Sequence, residues 1–70
     1  MSIHSIRFVA NEIAWFQVSH GLMDRNEMAD MALNIIEYHN LDIEVSDFDW
    51  LEGVIMQRVH ELKPEWRLAQ

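Results

Sequence analysis

MDRNEMADMALNIIEYHN, residues 23–40, is the stretch that decides the class of this fold. Asp24 stands where a helix N-cap is wanted, and Glu27 follows three positions later, the spacing of a capping box. Met23 before the cap and Met28 at the fourth helical position suit a hydrophobic staple. At about 100° per residue, Met28, Met31, Ala32, Ile35, Tyr38 and His39 share one face, while Glu27, Asp30, Asn34 and Glu37 share the opposite one. The spacing predicts an amphipathic helix over 25–39 that stops near Asn40, a residue suited to a helix end.

Downstream the same grammar returns. Ser46 is the expected N-cap of a helix over 47–62, Asp49 is its third residue, and Val45 with Trp50 forms a second staple that takes Trp50 into the core. Phe48, Leu51, Ile55, Val59 and Leu62 make its apolar stripe. Pro64 sets the stop, because the residue before a proline avoids helical geometry. The tail, 64–70, keeps Trp66 and Leu68 and is expected to dock loosely or to move. Between the two helices, Leu41-Asp42-Ile43-Glu44-Val45 alternates apolar and acidic residues with the period of a half-buried strand. An extended packing linker and a short strand paired with Ile3–Phe8 both satisfy that pattern, though an isolated pair of strands is weak.

Upstream, a helix is expected over 5–19, ending at Gly21, the residue a left-handed helix end prefers. Ile6, Val9, Ala10, Ile13 and Phe16 line one face. Phe8, Trp15 and Val18 fall nearly opposite, among Arg7, Asn11 and Glu12. A helix apolar on two sides is normally buried on two sides. In a chain with two other helices, one of those sides has nothing left to cover it. The fold expected is therefore an all-α, three-helix domain occupying 1–70, with surplus apolar surface on its first helix.

Composition narrows the functions. The chain has 70 residues, too few for a second domain and few enough that its core is marginal. It contains no cysteine, which removes disulfides and thiolate metal sites. No basic, uninterrupted apolar leader stands at the start and no apolar run approaches a bilayer span, so a cytoplasmic location is expected. Twelve acidic residues against five basic ones give a net charge of −7. The bases (Arg7, Arg25, Arg58, Lys63, Arg67) form no stripe, so phosphate backbones and anionic membranes are poor partners, and a basic protein surface is the natural one.

Chemistry has little to stand on. None of His4, His20, His39 and His60 has a second ligand one helical turn before it, so no metal site and no cofactor is expected. The acids Asp42, Glu44, Asp47, Asp49 and Glu52 are interleaved with Phe48 and Trp50, unlike a calcium loop. No nucleophile elbow, phosphate-binding loop or zinc-hydrolase motif is present, and no enzyme is expected. Arg58, on the flank of the third helix's stripe, reads either as a snorkelling stem or as an ion-pair partner of Glu37 or Asp30.

These observations favour a non-enzymatic protein-binding module: a small acidic inhibitor or adaptor of the kind that occludes a basic surface, as nucleic-acid mimics of phages and mobile elements do. Its expected contact residues are Phe8, Trp15 and Val18 on the first helix and the acids Glu27, Asp30, Glu37, Asp42, Glu44, Asp47 and Asp49. A homodimer is expected through the first helix, with Trp15 and Phe8 at the seam. The alternatives are a helix-turn-helix regulator, whose second helix would face phosphates with Asp24, Glu27, Asp30 and Glu37, and a purely structural dimerising subunit.

Overall fold

The computed structural model describes residues 3–66 and is all-α among them. Helix α1 runs Ile3–His20, α2 runs Arg25–His39, a 3-10 turn covers Val45–Asp47, and α3 runs Phe48–Leu62. Helix α1 starts two residues before the expected Ser5, so Ile3–Phe8 is helical and the strand pair with 41–45 does not form. The linker instead crosses the core as extended chain: Ile43 is buried, Leu41 is half-buried, and Asp42 and Glu44 face outward.

The helix ends follow their local chemistry. Glu27 N–H donates to Asp24 Oδ1 and Asp24 N–H donates to Glu27 Oε1, both at 2.9 Å, so the capping box closes reciprocally. At the other end of α2, Asn40 adopts φ 55 and ψ 51, and Leu41 N–H donates to the Ile36 carbonyl at 2.9 Å. That bond, with Asn40 N–H to the Glu37 carbonyl at 3.3 Å, is the Schellman pattern. Gly21 ends α1 at φ +113, where a side chain would be strained.

The start of α3 departs from expectation. Ser46 caps nothing there. Glu44 N–H donates to Asp47 Oδ2 at 3.1 Å and Asp47 N–H returns to the Glu44 carbonyl at 2.9 Å, winding residues 45–47 into the 3-10 turn. The helix therefore begins at Phe48. Val45 is left 71% exposed and Trp50 46% exposed, so the Val45–Trp50 staple is absent and Trp50 is not core. Ser46 lies inside the turn that the Asp47 carboxylate closes on Glu44 N–H, and so does not occupy the cap position before α3.

The core is built from Ile6, Val9, Ala10, Ile13 and Ala14 of α1, Met28, Ala32 and Ile36 of α2, Ile43, and Leu51, Ile55 and Val59 of α3. Helix α1 packs most extensively on α3, less on α2, and α2 touches α3 only lightly. Besides Trp50, three side chains expected on inward faces lie outside, among them the exposed His39 at the end of α2. Phe16 is 39% exposed and Tyr38 is 85% exposed. Each sits at the edge of its helix's inward arc, and a smaller or straighter neighbour, Gln17 and Ile36 respectively, takes the buried place. Trp66 packs against the core beyond α3, with Lys63 Nζ 5.8 Å from its ring centroid. The remainder of the expected mobile tail, 67–70 with Leu68, lies outside the described residues.

Candidate functional site

Helix α1 offers a row of aromatic side chains to solvent. Phe8 is 39% and Trp15 48% exposed, and they lie seven residues apart on the same side of the helix, about 10 Å along its axis. Val18, expected beside them, turns back instead and packs half-buried on the core. Two groups that the sequence reading did not place here extend the row. The His39 ring meets Phe8 edge-on at 4.9 Å and Tyr38 edge-on at 4.9 Å, so the end of α2 joins the middle of α1. The Phe16 ring stacks on His20 at 4.3 Å, and His20 Nδ1–H donates to the Phe16 carbonyl at 3.1 Å. The periodicity of each helix alone pointed Tyr38 and Phe16 inward; their surface position depends on how the helices are rotated about one another.

Several of the acidic candidates serve the helix ends. Glu27 is engaged in the α2 capping box and Asp47 in the turn before α3. Asp49 pairs with Arg25, which also reaches Glu52 Oε1 at 3.2 Å. These exposed pairs bridge the start of α2 and the start of α3. Asp30, Glu37, Asp42 and Glu44 are exposed. Asp30 and Glu37 form no ion pair among the described residues. The candidate surface is thus an aromatic α1 face joined to the end of α2, with carboxylates on α2 and on the linker after it.

Arg58 meets neither Glu37 nor Asp30. Its Nε–H donates to Asn11 Oδ1 at 3.0 Å and its Nη1–H to Glu61 Oε1 at 3.2 Å, which ties α3 to the flank of α1. Among the described residues, no group of three His, Cys, Asp or Glu side chains is arranged to hold a metal ion, and no helix is long and apolar enough to cross a membrane.

The buried carboxamide of Gln17 escaped the sequence reading altogether. It accepts Met23 N–H at 2.9 Å and donates to Met28 Sδ at 3.5 Å, fixing the turn from α1 into α2. The signal was faint: a glutamine four residues before a helix-ending glycine, on the arc of Ile6, Ala10 and Ile13.

No protein-family model, curated protein or solved structure matches the chain.

Proposed function

We propose that this chain is a non-enzymatic, acidic protein-binding module that works by covering another protein's surface. The observation carrying this reading is Trp15: it stands 48% exposed on a helix whose other side already fills the core. Large aromatic side chains are the usual anchors of protein interfaces, and a helical face with nothing over it is where such an anchor acts. The carboxylates Asp30, Glu37, Asp42 and Glu44 select a basic partner by electrostatic complementarity, and the module serves as an inhibitor or adaptor in the cytoplasm. A phage-type mimic of nucleic acid is one form of that role.

In the free chain the same α1 face is the seam of a homodimer, which a partner would have to displace. Two copies laid antiparallel about an axis near Asn11 and Glu12 set Phe8 of one against Trp15 of the other, an arrangement a two-fold axis repeats for both copies. Light scattering across micromolar concentrations is expected to give twice the chain mass. Trp15→Ala is expected to shift that equilibrium to monomer and to remove the concentration dependence of the unfolding midpoint, while costing the isolated protomer little, since so exposed a ring contributes little to its core. A wild-type monomer throughout, or equal loss of stability with unchanged assembly, removes the seam. A mobility shift of mixed DNA at low salt would instead favour a helix-turn-helix regulator.

A further inference from the structure

A groove of about 570 Å³ runs along the junction of α1 and α3, on the side where Arg58 crosses to Asn11. Its lining is out of character for a chain of net charge −7: two of the five basic residues, Arg7 and Arg58, face it, and Glu61 is the one carboxylate among its lining residues. The other described cations are committed elsewhere, Arg25 to Asp49 and Glu52, Lys63 to Glu65. Arg7 makes no ion pair among the described residues.

We infer that this groove is a binding site for a small phosphate monoester carrying a compact apolar or aromatic body. Asn11 holds the Arg58 guanidinium by its Nε, which fixes the plane of the fork in advance of any ligand. The Nη2 group has no acceptor among the described residues and, with Arg7 and the Gln57 carboxamide, supplies hydrogen-bond donors from both helices. Arginine forks match phosphate oxygens in pairs. The Arg58–Glu61 contact is exposed and only three residues apart, a pair that is surrendered cheaply to a stronger anion. A phosphate monoester brings nearly two negative charges and three terminal oxygens; a carboxylate brings one charge and leaves donors unused. Phe8 and Val54 form the apolar wall against which the body of the ligand lies. The volume suits a small organic molecule. Acids farther off than about 8 Å are largely screened at physiological salt, so the chain's net charge does not forbid the site.

The site shares Phe8 with the proposed protein-binding face, but its charged recognition by Arg7, Arg58 and Gln57 does not rest on that reading. It is tested by following backbone and side-chain N–H resonances of the whole chain during titration with phenyl phosphate at physiological salt. Inorganic phosphate and phenylacetate serve as comparison probes. Saturable shifts are expected at Arg7, Asn11, Gln57 and Arg58, with phenyl phosphate at least about tenfold tighter than either comparison probe. Arg7→Ala is expected to weaken it about tenfold or more and Arg25→Ala to leave it unchanged; Arg7 is exposed without an ion pair among the described residues, and the Arg25 pairs are of the exposed kind that contributes little to folding. Shifts that grow linearly without saturating, or that are as large at Arg25 and Lys63, overturn the site. Unchanged affinity in Arg7→Ala overturns it as well. Phenylacetate binding as tightly as phenyl phosphate overturns the assignment to phosphate.

Discussion

The carboxamide of Gln17 bonds at both ends to the chain that follows it, accepting from Met23 and donating to Met28, while the backbone carbonyl of Gln17 receives Gly21 N–H at 2.7 Å. One residue thereby fixes where α1 stops, how the chain turns and where α2 begins. Replacing it with leucine keeps the apolar bulk and leaves Met23 N–H without its acceptor. A partly buried donor stripped of its partner costs about 1–3 kcal/mol. Gln17→Leu is expected to lower the unfolding free energy by that amount, read as a lower urea midpoint with an unchanged denaturant slope; a neutral effect would mean that water serves Met23 equally well. This role was illegible because glutamine is ordinarily a surface residue, and its partner belongs to a turn whose path no periodicity describes. The Asp24–Glu27 box was legible for the opposite reason: both members lie within one helical turn and need nothing else.

At the scale of the element, the three helices were readable because each has its own apolar period and at least one terminal signal. The readings that failed were those needing the relative rotation of two elements, as for Tyr38 and Phe16, or the path of an added 3-10 turn before a helix, as for Ser46. The candidate surface divides likewise. Phe8 and Trp15 could be placed from α1 alone, whereas their continuation through His39 and Tyr38 depends on how α2 crosses it. Helix α3 carries a further consequence. Gly53 sits in its interior on the solvent side, and a methyl group there would touch nothing within 4 Å. Glycine in a helix interior is less favourable than alanine by about 0.8–1 kcal/mol. Gly53→Ala is expected to raise Tm by several degrees in a thermal melt. A lowered Tm would mean that alanine disturbs packing at this position.

Across the whole molecule the packing is uneven. Helices α1 and α3 share the larger interface, and α2 is held by α1, by Ile43 beneath it and by the Arg25 pairs at its start. Those ion pairs are exposed, a class that contributes at most about 1 kcal/mol each. Between α2 and α3 a small cleft of about 40 Å³, half open to solvent, remains over Met28, Ala32, Phe48, Leu51 and Ile55. Poorly filled contacts forfeit dispersion energy on the side facing the gap. Helix α2 is therefore expected to open before the α1–α3 pair, so that amide exchange at 29–36 is faster than at 9–16 or 52–59 under native conditions. Equal protection in all three segments would show a single cooperative unit instead.

The positions of the indoles have a practical outcome for spectroscopy. Trp15 and Trp50 are roughly half in contact with solvent, Trp66 is partly covered at the end of α3, and none belongs to the buried cluster. Ultraviolet emission from this chain therefore samples its outer skin, and a ligand or second protein settling over α1 alters the colour of Trp15 while the interior stays as it was.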